Sequence, residues 1–172
     1  MNHTPADLGL LQAMQIYFQG EKTEALVFIL PVGLLSLVFS AWLLTDHPTH
    51  FVRGVALPFV LMGVLMTSVG AVVGYRTPGQ AQALEHSLQT QGTTSLQTET
   101  ERMGKVNKAW SIYLAIWGVL GALGLVLRFA TASDFLQGLG IALVFFSGVG
   151  LLVDGFAERR AQPYTAALHA QR

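Results

Sequence analysis

The stretch RTPGQAQALEHSLQTQGTTSLQTETERMGKVNK, Arg76 to Lys108, decides how the rest of the chain is read. It is polar, carries four of the ten basic residues, and separates two pairs of long apolar runs. Outward from it lie Gly54 to Tyr75 and Ala109 to Leu127, then Ala25 to Leu44 and Phe135 to Val153, runs of 22, 19, 20 and 19 residues without one charged side chain. Each is long enough, as a helix, to cross about 30 Å of hydrocarbon. A soluble domain could bury one such run, but four in 172 residues leave too little amphipathic surface to cover them. Composition agrees, with 52% hydrophobic residues, 12% charged and a mean hydropathy of +0.49. The fold class expected is an all-α membrane protein: one four-helix membrane domain over 1–172, with spans at about 25–44, 54–75, 109–127 and 135–153, forming two hairpins joined by a cytosolic connector, 76–108.

Basic residues orient the spans. Lys22, Arg76, Arg102, Lys105, Lys108, Arg159, Arg160 and Arg172 fall on one side, and only Arg53 and Arg128 on the other. Because basic flanks are retained in the cytoplasm, both termini and the connector are expected there. Tyr75 and Trp110 then stand at the cytosolic boundary and Trp42 at the opposite one. The zero net charge suggests neither nucleic acid nor an acidic substrate. With no cysteine, the chain has no disulfide, thiolate nucleophile or thiolate metal site.

The amino terminus has no basic n-region, and no small-residue cleavage site directly follows its first apolar run, so the first span is expected to stay in the mature protein. Leu8, Leu11, Met14 and Phe18 recur at helical spacing beside Gln12, Gln15 and Gln19, which suggests an amphipathic helix lying in the membrane interface, or else a partly ordered tail. Thr45 to Thr49, with Pro48, closes the first hairpin, and Thr131 to Asp134 the second. Asp46 with Arg53 and Arg128 with Asp134 read as ion pairs at the hairpin mouths. Pro31 and Pro58 are expected to kink their spans. Within the connector, Thr77-Pro78-Gly79-Gln80 reads as a turn and Gln89 to Gln97 as a flexible loop. Thr98 to Glu101 matches a capping box, so the third helix is expected to begin near Glu99.

Small residues mark where helices approach one another in lipid. They are Gly33, Ser36 and Ser40 in span one, and Gly63, Thr67, Gly70 and Gly74 in span two. Span three has Ser111, Ala115, Gly118 and Ala122, and span four Ser147 and Gly150, together giving a compact four-helix bundle. Asp154 follows Ser147 and Gly150 on one helical face, and a carboxylate near a membrane boundary needs a partner. Arg76, Lys105 and Lys108 end on the same side, so a structural ion pair that fixes helix rotation is the expected arrangement.

Nothing in the chain assembles an enzyme site. The five histidines, His3, His47, His50, His86 and His169, lie outside the spans, which removes paired axial haem ligands. His47 and His50 share a turn with Asp46 but have no third strong ligand, and Met62 with Met66 is too few thioethers for a soft copper site. Neither a Ser-His-Asp order nor a phosphate-cradling glycine loop is present. No catalytic residue, metal or cofactor is therefore assigned.

Gly74-Tyr75-Arg76-Thr77-Pro78-Gly79-Gln80, followed by Glu101-Arg102-Met103, Val106-Asn107-Lys108 and Trp110 leading into a span, resembles a pattern of small four-span bacterial inner-membrane proteins. The general architecture is also similar to that of membrane immunity proteins, partners of secreted toxins that damage the inner membrane. The resemblance implies a bacterial inner membrane, a lipid bilayer around the spans, and a toxin or another membrane protein as partner. A non-enzymatic role in protein–protein interaction, most sharply toxin immunity, is the expected function, and a homo-oligomer is compatible with it. The alternatives are a small transporter or channel subunit, or an accessory subunit of a membrane complex. A transporter calls for ionisable groups facing one another at mid-membrane depth, which the spans lack. The topology has a direct test: reporters active only in the cytoplasm should give signal when fused after residue 90 or residue 172 and none when inserted at His47, and signal at His47 overturns the orientation.

Overall fold

The computed structural model describes residues 5–46 and 48–171, all of them helical apart from short turns. The helices are α1 (Pro5–Glu24), a π-helical segment (Ala25–Ile29), α2 (Leu30–Asp46), α3 (His50–Gln91), α4 (Thr93–Ala130) and α5 (Asp134–His169). Four stretches, Gly9–Asp46, His50–Gln91, Thr93–Ala130 and Asp134–His169, are long and apolar enough to cross a membrane. The chain thus has the build of a multi-pass membrane protein. His3, His47, Arg172 and the Leu8 side chain lie outside the described residues.

The first of these stretches is continuous, because α1 passes through the π segment into α2. Pro31 explains the π turn: it has no N–H for the carbonyl of Val27, and its ring would collide with that carbonyl in a regular α-helix. The chain widens instead, and the Leu30 N–H bonds the carbonyl of Ala25, five residues back. In place of a separate interfacial helix, α1 is continuous with α2 and packed on the rest of the protein. Its apolar side, Leu10, Met14, Tyr17 and Phe18, is buried against Met103, Ala161, Tyr164 and Leu168, with Leu11 half-buried beside them, so protein and not headgroup covers that face.

The connector also differs from expectation. Helix α3 runs through Thr77, Pro78 and Gly79 to Gln91, and α4 starts two residues later at Thr93. Thr77 Oγ1 donates to the carbonyl of Val73 just before the proline. Further along, Ala81, Leu84 and Leu88 pack against the core at this end of the molecule, and that burial overrides the local turn chemistry. The reversal falls at Gly92, whose φ of 48° suits a residue without Cβ, and Ser95 Oγ ties across it to the carbonyl of Ser87. Thr98 does not cap α4: its hydroxyl donates to the carbonyl of Thr94 within the helix, and Gln97 Nε2 donates to Glu101 Oε1.

At the other end, Thr49 Oγ1 accepts the N–H of Val52 as the N-cap of α3. Ser133 occupies the same position before α5 without a side-chain cap bond. The expected ion pairs there do not form. Arg128 donates to Gln137 Oε1 at 3.2 Å and lies over the Phe129 ring, and among the described residues neither Asp46 nor Asp134 joins an ion pair.

Packing of the apolar segments departs from a closed four-helix bundle. Helix α2 packs on α3, α3 on α5, and α5 on α4, with a much smaller contact between α3 and α4 and, among the described residues, no substantial one between α2 and α4. The order across the molecule is therefore α2, α3, α5, α4, an arc with α3 and α5 at its centre. Glycine makes each junction. On α3, Gly63 meets Leu37 and the carbonyl of Gly33, Gly70 meets Leu30, and Gly74 meets Leu26. Between α3 and α5, Gly54 lies on the backbone of Phe135 and Gly138 on that of Phe51, and between α5 and α4, Gly140 and Gly124 face each other's carbonyls. Among the described residues the buried core cluster lies at the connector end, where α1 packs against α3 and α5.

These junctions predict a sharp positional contrast. Gly54→Val and Gly138→Val each drive a side chain into a neighbouring carbonyl and should lower the unfolding free energy of the purified protein by about 1–3 kcal/mol or more. Gly118→Val, in open space, should leave the thermal midpoint near its starting value.

Candidate functional site

Two polar features stand out against the apolar helices. One is a cluster at the connector end. Glu99, 5% exposed, receives a bidentate pair from Arg102 at 2.6 and 2.7 Å, and its Oε1 also accepts the Tyr164 hydroxyl at 2.8 Å. Tyr164 stacks on Tyr17 at 5.0 Å, so an aromatic pair from α1 and α5 closes over the carboxylate of α4. Burial pushes the Tyr164 phenol up, with the Glu99 charge and hydrogen bond adding to it, while the bond from Glu99 raises the Arg102 guanidinium. The Tyr164 phenol and the Arg102 guanidinium are thus both held as donors to the carboxylate. Around this node Arg160 pairs with Glu24 at 2.7 Å and Arg76 with Glu21 at 3.9 Å. The Glu21 carboxyl is raised by burial more than Arg76 lowers it. The acids come from α1 and α4 and the bases from α3, α4 and α5, so the cluster fastens the N-terminal helix to the rest.

The other feature lies where the apolar segments begin. Asp154 Oδ2 accepts the indole N–H of Trp117 at 2.6 Å. The Trp117 ring rests on Gly150, where a Cβ would collide with it, and the Trp117 carbonyl accepts the Ser147 hydroxyl. Ser147, Gly150 and Asp154 share one face of α5, as their spacing implies. That face is a seat for a single tryptophan of α4. Beside it, a groove of about 190 Å³ opens between the π segment, α3 and α5, walled by Met62, Met66, Val69, Phe146 and Val149 and ended by Trp117 and Asp154.

Among the described residues none of the expected partners pairs with Asp154. Arg76 turns to Glu21, and Lys105 and Lys108 are exposed. Among the described residues no ion pair includes Asp154, Lys105 or Lys108. The correction has a simple cause: α3 and α4 continue well beyond the apolar segments as helices, which carries these bases onto the protruding ends, whereas an indole one helix away is already in reach. Of the small residues, Gly63, Gly70 and Gly74 face α2 and the π segment, and Ser147 and Gly150 face Trp117. Gly118 meets nothing within 4 Å, and Ser111, Ala115 and Ala122 on the same face of α4 are also exposed. The small stripe of α4 therefore points outward, and α5 is met instead through Gly121, Gly124 and Trp117.

Sequence reasoning missed Trp117 as a partner because an indole inside an apolar run reads as packing. It missed Glu99 and Tyr164 because they are 65 residues apart. The only local signal was Glu99 with Arg102 at helical i, i+3 spacing.

The connector-end cluster predicts coupling across that distance. Glu99→Ala leaves a buried phenol without its acceptor and should cost about 1–3 kcal/mol, and Tyr164→Phe about 1 kcal/mol. In a double-mutant cycle read by thermal or denaturant unfolding, the pair should cost clearly less than the sum of the singles; additivity would mean the bond contributes nothing.

Comparison with known protein families, with curated proteins and with solved structures finds no match for this chain, so its geometry is what bears on function.

Proposed function

We propose that this chain is a non-enzymatic protein of the bacterial inner membrane, with both termini and the connector in the cytoplasm, that binds another membrane protein side-on through α4. The supporting observation is the outward face of α4. This helix closes one end of the arc, and its main packing partner is α5. Away from α5 it presents Ser111, Ala115, Gly118 and Ala122 in line, flanked by Ile112, Ile116 and Val119 around a shallow apolar depression. Lipid tails are as apolar as these side chains, so burial alone does not draw helices together in a bilayer. Close backbone approach over small residues does, and α4 offers that to an incoming helix. The sharpest form of this reading is immunity: a toxin that damages the inner membrane acts within the bilayer, where a lateral helix face can reach it and a soluble binder cannot.

The test uses competition. A strain lacking the gene, mixed with siblings that deliver their toxins, should lose membrane potential. The intact gene should restore it, and Ala115→Leu protein present in the membrane in normal amount should not. Full fitness of the deletion strain under active delivery overturns the immunity reading. Because the chain has no cysteine, a single Ala115→Cys also reports whatever lies against α4. Oxidative cross-linking only to itself would replace the heterologous partner with a homo-oligomer.

A further inference from the structure

The groove beside Trp117 is separate from the α4 face, and its chemistry stands on its own. Its walls are apolar and include Met62 and Met66, flexible thioethers that adapt to differently shaped occupants. Along α5 it extends from Phe146 to Asp154, about 12 Å of helix. Of the residues lining it, one is charged, Asp154, and that carboxylate sits at one end. Among the described residues no arginine or lysine pairs with it: Arg76 and Arg160 are committed to Glu21 and Glu24, and Asp154 accepts a neutral indole N–H. Trp117 is in turn fixed by its seat on Gly150 and by the Ser147 hydroxyl. A carboxylate and the side chain with the most favourable π-face for cations are thus held together at the mouth of an apolar slot.

We propose that this groove is a binding site for a lipophilic ammonium ion, its apolar tail lying along Met62, Met66, Phe146 and Val149 and its cationic head at Asp154 beside the Trp117 ring. Charge complementarity selects this occupant. A neutral lipid tail fills the slot without using the carboxylate, and an anion is repelled by it. Quaternary and tertiary ammonium heads fit best, because they carry their charge on an apolar surface and gain both from the carboxylate and from the indole.

The test compares three probes of one chain length, decyltrimethylammonium, decanol and decanoate, on the full chain in nanodiscs of uncharged lipid. Binding is followed by Trp117 fluorescence in a protein carrying Trp42→Phe and Trp110→Phe. The cation should give a saturable change that decanol and decanoate do not reproduce at the same membrane concentration. Asp154→Asn keeps an oxygen to accept the indole N–H while removing the charge, and should raise the half-saturating cation concentration about tenfold, the order expected for losing one charge contact outside bulk water. Trp117→Phe, followed by competition against a bound fluorescent cation, should weaken binding by a smaller factor. Equal responses to cation and alcohol, or an unchanged half-saturation in Asp154→Asn, would overturn the proposal and leave a groove for lipid tails. Should either variant fail to fold, the comparison of the three probes on the parent protein still decides. Failure here leaves the α4 reading untouched, since no residue of that face lines the groove.

Discussion

Close backbone approach over glycine is the constraint on which the apolar half of this protein depends. In a bilayer the drive that buries leucine in a soluble core is absent, and helices adhere through short-range packing. Helix α3 is central because glycine serves both of its sides, with Gly63, Gly70 and Gly74 toward α2 and the π segment, and Gly54 toward α5. Helix α5 repeats the device, using Gly138 toward α3 and Gly140 and Gly150 toward α4. The consequence is an arc in which α2 lies chiefly on α3 and α4 chiefly on α5. The outward face of α4 and the groove beside Trp117 both follow from this openness.

The connector end works on different physics. There the helices project beyond their apolar segments, and α1 supplies the side chains that close a core. Leu10, Met14, Tyr17 and Phe18 bury against α4 and α5, and the acids Glu21 and Glu24 reach arginines on α3 and α5. The buried Glu99 is tolerable because Arg102 supplies its charge partner and Tyr164 a further donor, and removing Arg102 would leave the buried carboxylate without a counter-charge. The protein thus has a packed, ion-paired core at the connector end and an open apolar arc extending from it. The Pro31 π turn stands at the junction of the two, where α1 becomes α2.

Two chemically different surfaces emerge from one arrangement. The α4 face is uncharged and small, suited to another helix. The groove carries one carboxylate held by one indole, suited to an amphiphile with a cationic head. Neither uses a catalytic constellation, and both lie on the apolar segments and not on the polar connector, whose conspicuous basic residues either pair with acids at the connector end, Arg76 with Glu21 of α1 and Arg102 with Glu99 of its own helix, or stay exposed, as Lys105 and Lys108 do.

The sequence by itself determined the helical class and the four apolar segments, because hydropathy over about 20 residues is a local property that neighbours cannot reverse. It also determined that Ser147, Gly150 and Asp154 share a face, since helical periodicity fixes that without any partner. The direction in which each face turns was decided only by the tertiary structure. The stripe Ser111, Ala115, Gly118 and Ala122 has the same signature as the packed stripe of α3, yet it points outward because α5 meets α4 through Gly121 and Gly124 instead. Pro78 and Gly79 carry turn chemistry that a core of residues distant in sequence overrides, and the reversal moves to Gly92. Asp154 had three cations to choose from in the sequence, and took an indole 37 residues away because helix packing brought that donor within 2.6 Å. Pairing of this kind depends on which helices become neighbours, and in this chain that was settled by where glycine allows two backbones to touch.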